Sequence, residues 1–118
     1  MTSEFCNYKQ SMALKFLGFE GVQFAWFQAG RLLTVTGLPK PSHQKYMRDQ
    51  DCTAPLKQQA FAFFRERYKL HSYIEGAYPW FRYYINTDDD RQEGYKYLSF
   101  EDAENACIDA LISLYYNH

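Results

Sequence analysis

The chain has 118 residues with a formal net charge of −1, and it is 47% hydrophobic and 23% charged. This balance is typical of a globular protein and excludes a disordered chain. We predict one domain over residues 1–118. The N-terminus lacks a signal-peptide pattern and no apolar run approaches bilayer-spanning length, so we expect a cytoplasmic protein without membrane contact. The aromatic share of 19% exceeds what a core of this size absorbs, which predicts partly exposed rings.

The first 70 residues predict a helix, a hairpin and a second helix. Asn7 and Gln10 form a capping-box pattern, and Gly18 stands where that helix would end. Two β-rich runs flank Ala29-Gly30, a pattern typical of a tight hairpin. The predicted bounds are a helix at 8–17, strands at 22–28 and 31–36, a surface loop at 37–51 and a helix from an N-cap at Thr53 to about Lys69.

The last third predicts three strands and a final helix. Residues 80–87 are the strongest strand pattern, because their apolar and polar side chains alternate. Ser99 is the expected N-cap of the final helix. The remaining bounds are strands at 71–75 and 95–98, a polar loop at 88–94, and a buried helical stripe of Ala103, Ala106, Cys107, Ala110, Leu111 and Leu114.

The element order is therefore α-β-β-α-β-β-β-α. It predicts an α+β fold with a mainly antiparallel five-stranded sheet and three helices on one face of that sheet. Phe64, Leu111 and Leu114 are expected to share one core.

Two segments, 59–68 (QAFAFFRERY) and 97–112 (YLSFEDAENACIDALI), carry a resemblance to a known group. They resemble short uncharacterised proteins of Bacteroidetes and of their phages and integrated elements, which have a WFREKY-like helix and a final SYEEAExACxxKLI-like helix. Phe63 stands where that group would have Trp, and Ala110 where it would have Lys. The resemblance implies an origin in a phage or mobile element and transfers no catalytic residue.

The sequence shows no pattern of catalytic or cofactor chemistry. Its histidines are scattered without metal-ligand spacing, and its glycines are too separated for a phosphate-binding loop. Asp88-Asp89-Asp90 lacks the alternating ligands of a calcium loop, which favours a solvated hairpin loop. Cys107 lies on the apolar stripe of the final helix, which favours an inert core thiol over a nucleophile. We expect no enzyme activity, no metal and no cofactor.

Four residues are candidates for binding. Trp80, Arg82 and Tyr84 alternate with the apolar side chains of the strong strand, so they would face solvent if helices cover the other side. Aromatic rings interleaved with a cation can anchor a protein partner or stack on bases. Arg67 falls inside the apolar arc of the second helix, where its stem could pack and its head reach water or a carboxylate, or where it could hold an anion.

Two further patterns indicate partners. The final helix has a second apolar line, Ile108, Ile112 and Tyr115, which could form a homo-oligomer interface. Residues 31–71 carry eight positive and three negative side chains. The leading hypothesis is a small non-enzymatic protein-interaction module, and the alternative is a nucleic-acid-binding module that uses the basic segment 31–71.

Overall fold

The computed structural model describes residues 4–34, 40–41 and 48–116. The chain divides into two compact units, residues 1–60 and 61–118, and the boundary falls inside the second helix. The prediction of one domain over 1–118 stays a prediction. The described residues form α1 (Tyr8–Phe16), β1 (Val22–Gln23), β2 (Ala25–Gln28), β3 (Arg31–Thr34), β4 (Lys40–Pro41), β5 (Cys52–Thr53), α2 (Lys57–Tyr68), β6 (His71–Ala77), β7 (Trp80–Asn86), β8 (Arg91–Glu93) and α3 (Phe100–Tyr116).

Both ends of α1 follow the predicted local chemistry. The Asn7 side chain accepts a hydrogen bond from the Gln10 backbone nitrogen, and the Gln10 side chain accepts one from the Asn7 backbone nitrogen. Gly18 has φ 91°, a left-handed conformation in which glycine has no steric cost, and its backbone turns the chain out of the helix. The buried residues of α1 are Gln10, Ser11 and Leu14, while Phe16 is 72% exposed.

The hairpin of the first unit is confirmed. Strands β2 and β3 pair antiparallel around Ala29 and Gly30, whose φ values of 53° and 79° are those of a hairpin turn with two left-handed residues. Phe27 points into a small core with Ala25, Cys52 and Ala54. Partly buried side chains packed against this core are Phe5, Tyr8, Met12 and Leu32.

The predicted start of α2 at Thr53 is wrong. Thr53 lies in β5 and pairs with Trp26 of β2, and the carbonyl oxygen of Pro55 accepts a hydrogen bond from the Cys6 backbone nitrogen at 2.8 Å. These pairings hold the segment extended, so the helix begins only at Lys57. Part of the predicted loop at 37–51 is also strand, β4, which pairs with β1, and residues 42–47 lie outside the described residues.

The second unit contains an antiparallel sheet of order β6-β7-β8. Strand β7 is central, and β6 pairs with it along the whole length from His71↔Asn86 to Ala77↔Trp80. The return strand predicted at 95–98 is wrong, because β8 forms at Arg91–Glu93. Only an isolated bridge between Phe81 and Tyr97 remains of the predicted pairing.

The α+β class is confirmed, whereas the single five-stranded sheet with three helices on one face is wrong. The described strands form two separate three-stranded antiparallel sheets, β3-β2-β5 and β6-β7-β8, and the two-stranded pairing β1-β4. The strands of residues 1–60 pair with one another, and those of residues 61–118 do the same, so each compact unit has its own sheet.

Helix α3 begins as predicted, since the Ser99 hydroxyl accepts a hydrogen bond from the Asp102 backbone nitrogen at 3.0 Å. The side chains of the second unit that are 0% exposed are Phe64, Ile85, Ala103, Cys107, Ile108 and Leu111. Leu114 is half-buried.

The burial of Ile108 corrects the predicted oligomer line Ile108, Ile112 and Tyr115. Ile108 is wholly buried, and Tyr115 packs on Tyr68 of α2 with ring centroids 4.0 Å apart. The helix therefore offers no continuous exposed apolar line at these positions. No described helix combines the length and the apolar character needed to cross a bilayer.

Candidate functional site

The two faces of strand β7 have different surroundings. Phe81, Tyr83 and Ile85 form one face, and Ile85 is wholly buried. The Phe81 ring packs edge-on against Phe100 at the start of α3, with centroids 6.0 Å apart. On the neighbouring strand β6, Ser72 hydrogen-bonds the thiol of Cys107 on the same helix. Helix α3 therefore covers this face, which meets the condition under which the sequence predicted an exposed opposite face.

The other face of the sheet carries rings and charges from all three strands. The antiparallel register places Tyr73 opposite Tyr84 and Glu75 opposite Arg82, and it places Tyr84 opposite Glu93. Directly paired residues project to the same side of a sheet. We call this surface the aromatic–charge face, and it comprises Tyr73, Glu75, Trp80, Arg82, Tyr84, Arg91, Glu93 and Lys96.

Two cations flank the indole ring of Trp80. The guanidinium carbon of Arg82 lies 5.4 Å from its centroid and the ammonium nitrogen of Lys96 lies 4.7 Å from it. Both distances are within the range in which a cation is attracted to the quadrupole of an aromatic ring. Trp80 is half-buried, so this end of the face is held in one arrangement by its own side chains.

Tyr84 is packed more closely than the sequence predicted. Its ring stacks on that of Tyr73, with centroids 4.9 Å apart and planes 18° apart, and the guanidinium of Arg91 lies 4.9 Å from its centroid. Its hydroxyl donates a weak hydrogen bond to Glu75 at 3.4 Å. Tyr84 is consequently only 8% exposed, and the prediction that it faces solvent is wrong. Of the two stacked rings, Tyr73 is the one that faces solvent, at 44% exposed.

Arg82 joins the two ends of the face. Its Nη1 lies 3.7 Å from a carboxylate oxygen of Glu93, which also forms an ion pair with Arg91 at 3.1 Å. The Nε atom of Arg82 is buried and has no hydrogen-bond partner within the described part of the chain. A buried donor without a partner is uncommon because it gives up its hydration.

Arg67 lies in a different group of rings. It is exposed in the last turn of α2, and its guanidinium carbon lies 5.8 Å from the Phe63 centroid and 5.9 Å from the Tyr68 centroid. The guanidinium itself therefore lies next to two rings of the same helix, within the range of cation–π attraction, and the predicted roles of Arg67 stay predictions.

The thiols are poor candidates for chemistry. Cys6, Cys52 and Cys107 are buried. Burial raises the pKa of the Cys52 thiol to about 11 and that of the Cys107 thiol to about 12. Both are therefore protonated near neutral pH, and a protonated thiol is a weak nucleophile and metal ligand.

The acidic and histidine candidates show no clustering in the described residues. Asp88, Asp89 and Asp90 are exposed, and the Asp90 backbone nitrogen donates to the Thr87 hydroxyl at 3.1 Å in a hairpin loop. His71 is exposed at the start of β6, while His43 and His118 lie outside the described residues. Within residues 4–34, 40–41 and 48–116, no group of three His, Cys, Asp or Glu side chains is placed to hold a metal ion.

The basic segment 31–71 is divided between the two units. Arg31 is exposed at the hairpin of the first unit, whereas Arg65, Arg67 and Lys69 are exposed at the end of α2 in the second. Lys57 is buried at 3% exposure, which removes it from any phosphate-binding surface.

Sequence reasoning found Trp80, Arg82 and Tyr84 but missed the other five members of the face. Tyr73 and Glu75 could have been found, because they alternate with Ser72 and Ile74 in the predicted strand 71–75. Arg91 and Glu93 could not, because they fall in the predicted loop at 88–94, where the structure forms β8. Comparisons of the chain with models of protein families, with curated proteins and with solved structures give no match.

Proposed function

We propose that the chain is a small non-enzymatic protein-interaction module that binds its partner through the aromatic–charge face. The observation that carries the proposal is that rings and charges from three strands are fixed against one another on the side of the sheet opposite α3. In keeping with the resemblance of its two helical segments, the proposed role is that of a cytoplasmic accessory protein of a phage or mobile element, acting on a host or self protein.

The contacts within the face favour binding because they reduce its entropic cost. Free arginine and tyrosine side chains lose rotamer freedom when they are immobilised at an interface, which costs about 0.5–1.5 kcal/mol each. Here Arg82 is already held by Trp80 and Glu93, and Tyr73 by Tyr84. Tryptophan, tyrosine and arginine are also the side chains that contribute most to protein interfaces.

The charges on the face favour a protein over a nucleic acid. Three cations, Arg82, Arg91 and Lys96, accompany two carboxylates, and Glu93 neutralises two of the cations directly. A phosphate-binding surface needs an excess of available cations. Two of the three rings are also occupied, since two cations lie next to Trp80 and Tyr84 is buried beneath Tyr73 and Arg91. Base stacking needs an accessible ring face.

The proposal is tested by a double variant, Trp80→Ala with Arg82→Ala, and a matched control, Tyr95→Ala with Arg65→Ala. Each pair removes one ring and one guanidinium from the second unit, and both control residues are exposed. A partner is first captured with the unaltered chain from the organism that encodes it, identified by mass spectrometry, purified and titrated. We expect the face variant to weaken binding at least about tenfold, because one anchor residue contributes more than about 1 kcal/mol, and the control to bind normally.

Circular dichroism and a thermal melt of both variants separate loss of binding from loss of fold. Equal affinities of the face variant and the control would contradict the proposal. Binding of single- or double-stranded nucleic acid that weakens steeply with salt, and that is lost in Arg65→Ala with Arg67→Ala, would favour the alternative function of the basic segment.

A further inference from the structure

Strand β6 is an edge of the sheet β6-β7-β8. It is seven residues long, from His71 to Ala77, and β7 is its only strand partner in the described part of the chain. Edge strands of this length are usually protected by proline, charged side chains or a bulge, because an unpaired edge is a template for another strand. Strand β6 has no proline and no bulge in its register with β7, and its one acidic side chain is Glu75.

The register identifies the backbone groups that point away from the sheet. The backbone nitrogen and carbonyl oxygen of Phe81 both bond to Tyr97, and the Tyr83 carbonyl oxygen accepts from Gly94. Phe81 and Tyr83 therefore direct their backbone groups away from β6. Hydrogen-bonded and non-hydrogen-bonded pairs alternate along an antiparallel ladder. Gly76 and Ile74 lie opposite Phe81 and Tyr83, so their own backbone groups point away from β7. Ser72, two residues before Ile74, directs its backbone groups the same way.

We propose that β6 pairs antiparallel with β6 of a second copy of this chain, with Ile74 opposite Ile74 on the two-fold axis. In this register the backbone nitrogen and carbonyl oxygen of Ile74 hydrogen-bond to those of the partner's Ile74. The backbone groups of Ser72 hydrogen-bond to those of the partner's Gly76, and those of Gly76 to the partner's Ser72. Every outward donor and acceptor of these three residues in each copy is then used. The two sheets join into one six-stranded sheet of order β8-β7-β6-β6-β7-β8.

The side chains of β6 are compatible with those of β6 in a second copy of the chain when the two strands pair in this register. Glu75, the acidic residue of β6, falls opposite the partner's Tyr73, so like charges do not meet across the two-fold axis. A direct cross-strand pair of compatible side chains stabilises the pairing of two strands, whereas like charges directly opposite each other destabilise it. Tyr73 is 44% exposed and Glu75 is exposed, so both can take part without rearrangement of the sheet. The interface depends on the backbone of β6 and goes beyond the proposed protein-binding function.

The first test measures the mass of the full chain by sedimentation and light scattering at concentrations up to about 1 mM. We expect a concentration-dependent dimer. In the dimer the amide hydrogens of Ser72, Ile74 and Gly76 should exchange more slowly than in the dilute monomer, because they become hydrogen-bonded. The amide of exposed Tyr95 serves as the internal control.

The second test compares Tyr73→Glu with Tyr73→Lys. Both variants lose the same ring, so the loss of its stacking on Tyr84 is matched. Glu at position 73 would face the partner's Glu75 twice per dimer, whereas Lys would face it with opposite charge. We expect the Lys variant to dimerise roughly tenfold more tightly than the Glu variant. Each dimer contains two pairs of position 73 with the partner's Glu75, so the difference in the free energy of one pair counts twice.

Three outcomes would overturn the proposal. The first is a chain that stays monomeric over the whole concentration range. The second is a dimer in which the amides of Ser72, Ile74 and Gly76 exchange as fast as in the monomer. The third is equal dimerisation of the Tyr73→Glu and Tyr73→Lys variants while both remain folded by circular dichroism.

Discussion

The ammonium group of Lys15 organises a loop of the first unit. It donates hydrogen bonds to the backbone carbonyl oxygens of Arg48, Asp49 and Asp51 at 3.1, 3.2 and 2.7 Å. These carbonyls belong to no helix or strand, so the lysine replaces the water that would otherwise bond them. The side chain of Asp51 in turn accepts from the Ala29 backbone nitrogen at 3.0 Å, which ties the loop to the β2–β3 turn.

We expect Lys15→Met to lower the free energy of unfolding by about 1.5–3 kcal/mol, the range for hydrogen bonds to a charged group. Methionine keeps most of the aliphatic stem and removes only the donor. Urea denaturation measures the change, and Lys9→Met on the exposed side of the same helix is the control, expected to change stability by less than about 0.5 kcal/mol. A loss for Lys15→Met as small as that of the control would show that the three hydrogen bonds do not stabilise the loop.

At the scale of the element, the β2–β3 hairpin has one unfavourable residue. Ala29 has φ 53°, and a residue with a Cβ in the left-handed region is strained by roughly 1–2 kcal/mol. Asparagine tolerates this conformation better, and Asn-Gly is the preferred sequence of such a turn. Gly30, at φ 79°, already suits its position.

Ala29→Asn is therefore expected to stabilise the chain by about 0.5–1 kcal/mol. The backbone nitrogen that donates to Asp51 is retained, so no existing hydrogen bond is removed. The midpoint of urea denaturation should rise, whereas Gln28→Asn, at the exposed last residue of β2 next to the turn, should not raise it. A lower midpoint for Ala29→Asn would mean that the turn conformation is not the one described.

The final helix illustrates how far a periodic pattern predicts an element. The Ser99 cap and the burial of Ala103, Cys107 and Leu111 follow from spacing alone, since residues three and four apart share one helical face. The burial of Ile108 does not follow from the same stripe. A helix next to a sheet that also meets another helix, as Tyr115 meets Tyr68, buries a wider arc than one stripe.

At the scale of the whole molecule, the two compact units each have their own buried side chains. Ala25 and Phe27 lie in the core of residues 1–60, while Leu111 is 0% exposed in residues 61–118. Regions of a protein with separate cores open with different free energies, and a core mutation acts most strongly on its own region.

Leu111→Ala is expected to lower the free energy of unfolding by about 2–5 kcal/mol, as for other buried leucines. Amide hydrogen exchange read by mass spectrometry should accelerate mainly in residues 61–118. Ser113→Ala, exposed on the same helix, is the control and should leave exchange unchanged. Equal acceleration in residues 1–60 would show that the two units open as one, and a loss below about 1 kcal/mol would mean that Leu111 is not in the core.

The sequence by itself determined the features that depend on neighbouring residues: the α1 capping box of Asn7 and Gln10, the turn at Ala29-Gly30, and the two faces of β7. These are set by backbone conformation and by hydrogen bonds that span a few positions. Only the tertiary structure decided that Thr53 pairs with Trp26 and that Tyr84 is buried beneath Tyr73 and Arg91. Such contacts join residues far apart in the chain or on different strands, and no local pattern specifies which strand edge a segment will meet.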